Sequence, residues 1–551
     1  MSSCNRLMNS SLIANDIKIK ISLLIIFLVG FGIRVFYFPY DLPLVIDGLD
    51  NFTYATAINY FRHLPTEWTP INNGWPIFLS FWFSIINLEN TLQYMQLQRI
   101  ISIVLSSLIT IPVYFLCKKY FDEKIALVGA TLFAFDPRII LNSLLGITEP
   151  LFILLGVSSL VLFLRYERKM MFLSFILASC CTIVRSEGIF LFFTLTILFF
   201  IKYRISKEII KTYLPCVLIF MLILIPIMNY RIDVAGYDGI FQRATLGAGQ
   251  IISMTNQNGN SEIIEGLGLF IKYLGWIMIP NFIIFLPFGI IQFFKHRKRE
   301  TNFIIIFSIV CSMPILYAYI VQAQDTRYLY FLFPIFSLIS LYSVRSYVSK
   351  FTKKNIVLLT IIIGIFIASI IFYEYDKIDY NEERELNEIV KSIPITPSGL
   401  NFHPTMTRYV SVTEIPDQWP FVFYDEIRKT IMLEVDSKIV KPSNISIEGT
   451  GNEGNVLKVN TSGLAKKGEE IDIDALVDNV KFALESGSEI VLASLYNSDP
   501  IIDNIGDENL GSFELIASGK SNFKGSTYNR SFNVRKALRE HVNNTLVPPG
   551  A

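Results

Sequence analysis

Residues 19–55 read IKISLLIIFLVGFGIRVFYFPYDLPLVIDGLDNFTYA, and the organisation of the chain follows from this stretch. Its first half is an apolar run close to the roughly 20 residues that a helix needs to cross a bilayer. Its second half sets Asp47 and Asp50 just past the end of that run. No small-residue cleavage site follows the apolar run; Arg34, Phe36, Tyr37 and Pro39 do. It therefore reads as a retained membrane helix, not a cleaved signal.

The pattern repeats outward. Of the 551 residues, 52% are hydrophobic and only 17% charged, against about one quarter charged in a typical soluble domain. The excess lies in runs. Eleven candidate spans fall near 19–38, 97–117, 124–141, 148–164, 170–184, 187–203, 211–229, 267–293, 301–321, 328–346 and 355–373. Basic residues test the alternation, because short cytoplasmic loops collect Lys and Arg. Lys118-Lys119 and the segments 165–169, 202–211, 295–299 and 345–354 are basic, and all fall on one side if the N-terminus is cytoplasmic. An odd span number then puts the C-terminal segment outside. The expected class is a polytopic α-helical membrane protein, with a membrane domain over 1–375 and an extracytoplasmic α/β domain over 376–551.

The outer side carries the long segments: about 58 residues at 39–96, about 37 at 230–266, and the chain beyond 374. Loops of that length normally have structure and function of their own. Residues 51–61 and 75–86 read as short helices on the membrane surface, and Trp68, Trp75 and Trp82 suit that interface. Beyond residue 376 the composition turns to Asp, Glu, Asn, Gly and Ser. Apolar runs at 430–435, 456–459 and 489–495 alternate with helical patterns at 382–393 and 472–485, which predicts a small α/β domain. Asn444, Asn460, Asn529 and Asn543 head sequons that are usable only outside the cytoplasm.

Several classes drop out. A net charge of +1 without a basic stripe argues against a nucleic-acid partner. The six cysteines (Cys4, Cys117, Cys180, Cys181, Cys216, Cys311) show no metal-type spacing, and none lies beyond 311 to staple the C-terminal segment. No Walker A loop suggests an ATP-driven pump. A transporter or flippase for a lipid-linked or anionic substrate is the alternative, but there is no half-to-half repeat, and the charges gather at the outer face, not at the midplane.

Those charges are the candidate site. Asp47 and Asp50 lie three residues apart; Asp50 is either the N-cap of a surface helix or a carboxylate able to take a proton from an acceptor hydroxyl. Arg99, Asp136, Arg138, Glu149, Arg185, Glu187, Asp325 and Arg327 fall at the outer ends of other spans. Ionisable residues at that depth mark ion pairs or substrate paths. Arg99, Arg138, Arg185 and Arg327 suit a phosphate or pyrophosphate, or serve as partners for Glu149, Glu187 and Asp325. A site facing away from cytosolic nucleotides needs a donor that is already across the membrane, and a polyprenyl-phosphate sugar meets that need.

These motifs resemble the membrane-embedded GT-C glycosyltransferases, in the branch of protein O-mannosyltransferases and the lipid A aminoarabinose transferase. The stretch Asp50-Asn51-Phe52-Thr53-Tyr54-Ala55 resembles the branch's acidic first-loop motif, with Asn51 where a second acid usually stands. Gly74-Trp75-Pro76, Thr148-Glu149-Pro150-Leu151, Arg185-Ser186-Glu187-Gly188 and Thr326-Arg327-Tyr328-Leu329 resemble its later motifs, in order, over about residues 20–375. The resemblance implies inverting transfer of a sugar from a polyprenyl- or dolichyl-phosphate donor to a protein, lipid or glycan acceptor. Asp50 or Asp47 would be catalytic. The arginines, Glu149, Glu187 and Tyr54 would bind substrate. A divalent metal requirement stays open. An oligosaccharyltransferase of the same superfamily would normally carry a Trp-Trp-Asp motif in its outer domain; beyond 376 the one Trp is Trp419.

Overall fold

A computed structural model describes residues 2–377, apart from short gaps (45, 67–68, 89–90, 204–206, 243–244, 246–248, 250–260, 297, 299–300, 322 and 324); beyond these it describes residues 380 and 384 and seven strands. The chain divides into two compact units. One comprises Met1–Phe38, Phe61–Trp82 and Leu97–Lys377; the other comprises Pro39–Tyr60, Phe83–Gln96 and Ile378–Ala551.

The helices run in chain order: α1 (Ser2–Phe36), α2 (Ile46–Phe61), α3 (Gly74–Ile85), α4 (Thr91–Leu108), α5 (Thr110–Lys118), α6 (Glu123–Ala134), α7 (Pro137–Leu144) and α8 (Glu149–Phe163). Then come α9 (Arg168–Val184), α10 (Ile189–Tyr203), α11 (Lys207–Ala235), α12 (Ser261–Ile277), α13 (Phe285–Lys295), α14 (Asn302–Ile320), α15 (Phe333–Val348) and α16 (Lys354–Asp376). Short 3-10 turns at Ser186–Gly188 and Thr326–Leu332 lead into α10 and α15. Among the described residues seven helical segments are long and apolar enough to span a membrane, or eight if the bent pair α6–α7 counts as one. The protein is a multi-pass membrane protein.

The difference from eleven predicted spans lies at identifiable places. The 148–164 and 170–184 segments form helices of 15 and 17 residues, short for a straight crossing. The 267–293 segment is not one helix. It breaks between Ile277 and Phe285 around Pro280, where a proline removes a backbone donor and its ring crowds the preceding turn.

The first unit is held by close helix contacts, as expected where lipid gives no hydrophobic drive between helices. At Gly289 on α13 a Cβ would collide with the Ile339 carbonyl of α15, so the two backbones approach as near as they do only because that residue is glycine. Ser159 on α8 donates Oγ to the Ser174 carbonyl of α9 at 2.8 Å, and Ser174 returns the bond to the Ser159 carbonyl at 2.8 Å. Arg34, buried in the last turn of α1, donates Nη1 to the carbonyls of Gly30 (2.8 Å) and Ala134 (3.1 Å), tying α1 to the end of α6.

The second unit carries the strands β1 (Leu400–Asn401), β2 (Thr430–Asp436), β3 (Ser446–Glu448), β4 (Val456–Lys458), β5 (Glu489–Leu495), β6 (Phe513–Asn522) and β7 (Asn529–Ala537). Five form a mixed sheet in the order β1-β2-β5-β7-β6. β2 lies parallel to β1 and β5, while β7 runs antiparallel to β5 and β6. The near-continuous apolar sequences of β2 and β5 suit parallel neighbours in a sheet interior. The apolar runs read as strands at 430–435, 456–459 and 489–495 are β2, β4 and β5. Of the two helices expected at 382–393 and 472–485, all but Arg384 lies outside the described residues. In the same unit Arg384 grips Asp41 through both carboxylate oxygens, at 2.6 and 3.2 Å.

Candidate active site

The acidic segment is helical from Ile46 onward, so Asp47 lies in the first turn of α2 and Asp50 one turn further in. The N-cap role considered for Asp50 is corrected: the helix starts four residues earlier. Two carboxylates three residues apart on a helix share one face. Asp47 is half-buried, while Asp50 reaches solvent. The protein around Asp50 nevertheless raises its carboxyl above the usual carboxylate pKa, first by desolvation and then by the charge of Asp47. Asn51 donates Nδ2 to the Asp47 carbonyl at 2.5 Å and so braces that turn. Tyr54 is fully buried. Phe52 is also buried and meets Phe83 edge-on at 5.6 Å, and Phe83 meets Tyr94 at 5.4 Å, which seats this face of α2.

In the first unit three predicted residues come together. Arg185, in extended conformation at the end of α9, sends Nη1 to Glu149 Oε1 at 2.5 Å and Nη2 to Glu187 Oε1 at 2.9 Å. Glu149 opens α8, with Pro150 in the first turn, and is 3% exposed. A buried carboxylate at a helix N-terminus is favoured by the helix dipole and still needs a counter-charge, which Arg185 supplies. The Phe152 ring lies 5.8 Å from the Arg185 guanidinium. Arg185 thus has two carboxylate partners, the ion-pair role that the sequence left open beside phosphate binding.

The turn around Arg185 is locked onto the 61–82 segment. A Cβ on Gly74 would lie 2.6 Å from the Val184 nitrogen, so only glycine fits. Ser186 donates its backbone N–H to Asn72 Oδ1 at 3.1 Å. Trp75, fully buried, donates Nε1 to the Gly146 carbonyl at 3.1 Å, and Gln98 reaches the same carbonyl at 2.7 Å. Arg231 near the end of α11 donates to Pro70 O at 2.8 Å and to Asn73 Oδ1 at 2.7 Å. Three of the sequence motifs (Gly74-Trp75-Pro76, Thr148-Glu149-Pro150-Leu151 through the Glu149–Arg185 pair, and the Arg185 turn) are therefore one interlocked structure.

The other candidates stand apart from that cluster. Asp136 is the N-cap of α7, accepting from the Arg138 and Ile139 N–H groups at 3.0 and 3.4 Å, at a bend of 49° between α6 and α7. Arg138 donates to the Ile279 carbonyl and lies over the Trp276 and Phe372 rings at 5.5 and 4.9 Å. Arg327 pairs with Asp325 at 2.8 Å in the turn that enters α15. Arg99 lies within α4 and is 2% exposed, further from the helix end than the sequence suggested. Among the described residues no group of three His, Cys, Asp or Glu side chains could hold a metal ion.

Sequence reasoning gave no site role to Arg34, Arg231, Asn72 or Asn73. An arginine inside an apolar run was the available signal for Arg34. The asparagines carry none, since their role depends on which loop folds over them.

The fold is similar to that of solved membrane-embedded glycosyltransferases of the GT-C type. ArnT from Cupriavidus metallidurans bound to undecaprenyl phosphate superposes with a TM-score of 0.54 over 95% of this chain and 98% of its own, at 9% identity. The oligosaccharyltransferase of Archaeoglobus fulgidus in complex with zinc and sulfate gives 0.51 over 87% of this chain and 68% of its own, at 12% identity. The same archaeal enzyme, AglB, with an inhibitory peptide and a dolichol-phosphate gives 0.50 over 88% and 70%, at 11% identity. Residues 75–232 match the dolichyl-phosphate-mannose-protein mannosyltransferase family, PMT. That segment holds Trp75, Glu149 and the Arg185 turn and starts at Trp75, so Gly74, Asp47 and Asp50 precede it. No curated protein sequence matches the chain. The matched family and the similar solved structures are glycosyltransferases, and none of them is a transporter.

Proposed function

We propose that the protein transfers a sugar from a polyprenyl- or dolichyl-phosphate donor to a hydroxyl-bearing acceptor at the extracytoplasmic face of the membrane. The observation that carries this is the acidic pair on one face of α2, with Asp50 open to solvent and its pKa raised. A carboxylate in that state is a better proton acceptor than an ordinary surface aspartate. In the reaction the acceptor oxygen attacks the anomeric carbon, its proton passes to Asp50, and the lipid phosphate departs with the electrons of the broken C–O bond. Asp47 keeps Asp50 basic. Arginine side chains neutralise the leaving phosphate; Arg99, Arg138 and Arg327 are the candidates, while Arg185 braces the turn with Glu149 and Glu187. Tyr54, fully buried, supports α2 from within.

The orientation proposed puts the N-terminus in the cytoplasm, residues 1–375 in the membrane domain and 376–551 in an extracytoplasmic α/β domain. Its support is the run of basic segments on alternate loops. The bound lipids of the two similar enzymes, undecaprenyl phosphate and dolichol-phosphate, favour a polyprenyl monophosphate donor. The test is a panel of synthetic polyprenyl-phosphate sugars offered to the reconstituted protein. One donor should be consumed with release of polyprenyl phosphate. Consumption of none, or equal consumption by the Asp47→Asn/Asp50→Asn double variant, refutes the reading.

A further inference from the structure

The ends of α5, α8 and α10 meet at a basic corner on the loops that the charge pattern assigns to the cytoplasmic side. Lys118 and Lys119 close α5, Arg165 and Tyr166 follow α8, and Lys202 lies in the last turn of α10. Cations are favoured where helix C-termini leave carbonyls without intrahelical partners, and Lys119 donates Nζ to the Leu164 carbonyl.

Tyr166 organises the corner. Its backbone is left-handed, φ 59°, a conformation that L side chains adopt only under constraint. The constraint is visible: the Tyr203 hydroxyl donates to the Tyr166 carbonyl at 3.0 Å, and its ring packs edge-on with Phe163 at 5.9 Å. The ring so placed takes the Lys119 ammonium at 5.0 Å and the Lys202 ammonium at 4.5 Å. Two like charges are thereby held on one aromatic ring. Beside them opens a groove of about 220 Å³ whose wall is Phe115, Leu116, Val161 and Leu164 and whose rim is Lys118, Lys119 and Arg165. Of the nearby carboxylates, Glu123 pairs with Lys118 at 2.6 Å, and Glu167 is exposed on the next residue but one after Arg165. Among the described residues Arg165 and Lys202 form no ion pair, so the corner keeps excess positive charge.

We propose that this corner binds the phosphate of an anionic phospholipid headgroup, with an acyl chain along the apolar wall. The charge complementarity selects an anion. The wall selects a lipid over a soluble phosphate: Phe115 is exposed on the membrane span Leu92–Lys118, so the apolar surface runs from the basic rim into the bilayer. The corner shares no residue with α2 or with the Arg185 cluster, and it requires nothing of the transfer reaction.

The test uses the full-length protein in phosphatidylcholine nanodiscs titrated with phosphatidylglycerol and read by native mass spectrometry and thermal unfolding. Wild type should bind phosphatidylglycerol at a discrete stoichiometry and unfold at a higher temperature. Arg165→Gln and Lys202→Gln should each weaken binding about fivefold, the equivalent of about 1 kcal/mol per basic residue near an anionic surface. Lys298→Gln, an exposed basic residue on another loop, should leave it unchanged. Both side chains at the corner are exposed, so their variants should fold. Wild-type binding by both corner variants overturns the proposal. So does an equal loss in Lys298→Gln, which would mean diffuse surface attraction, and so does glycerol phosphate stabilising as well as the lipid, which would mean a soluble-anion site.

Discussion

At the residue scale two carboxylate environments carry opposite duties. Asp50 has its pKa raised, so it loses its charge at a higher pH than an ordinary aspartate as pH falls. As a base it is active only when ionised. The acid limb of the rate profile should therefore sit higher than for an ordinary aspartate. Asp47→Asn removes a neighbouring negative charge and should move that limb to lower pH, measured as kcat/KM against pH; an unmoved limb would separate Asp47 from the base. Glu149 is instead buried and paired. Replacing Arg185 by Gln strands that charge and should cost about 3–5 kcal/mol of stability. The Arg185→Gln/Glu149→Gln double variant should recover much of it in thermal unfolding. These residues were legible as candidates because charge beside an apolar run is conspicuous. Their partners were not: Arg185 sits equally well beside a phosphate or a glutamate until the fold brings Glu149 36 residues away to within 2.5 Å.

At the scale of elements, the docking of α3 holds the motif cluster together. Gly74 touches the Val184 backbone, and an alanine there must push α3 off the 182–188 turn. Gly74→Ala should lower stability by about 1–3 kcal/mol, the usual range for overpacking. Gly32→Ala, with nothing within 4 Å, should not; comparing the two unfolding midpoints checks it. The reciprocal Ser159–Ser174 bonds between α8 and α9 should show a coupling near 0.6 kcal/mol in a double-mutant cycle, the average for such pairs in membranes. Periodicity and apolar runs revealed helices α2 and α3 and strands β2, β4 and β5, because local pattern decides those. They misplaced the start of α2 by four to five residues and fused α12 with α13, since a proline within an apolar run leaves hydropathy almost unchanged while it stops a helix.

At the scale of the whole molecule, the membrane-spanning helices, the likeness to GT-C folds and the mannosyltransferase-family match at 75–232 support the proposed membrane glycosyltransferase. The orientation makes its own prediction. A reporter fused after residue 551 should be active only in its extracytoplasmic form, and an inward C-terminus would put the outer loops, and Asp50 with them, on the wrong side for a donor already across the membrane. The central claim is that Asp50 takes the acceptor proton during transfer from a polyprenyl-phosphate sugar. Its most direct measurement is the turnover of Asp50→Asn, set beside its donor affinity and unfolding temperature, with the donor that wild type consumes. The account predicts a kcat lower by at least about a hundredfold, within the usual contribution of general base catalysis, with donor affinity and unfolding temperature little changed. Turnover within a fewfold of wild type would contradict it.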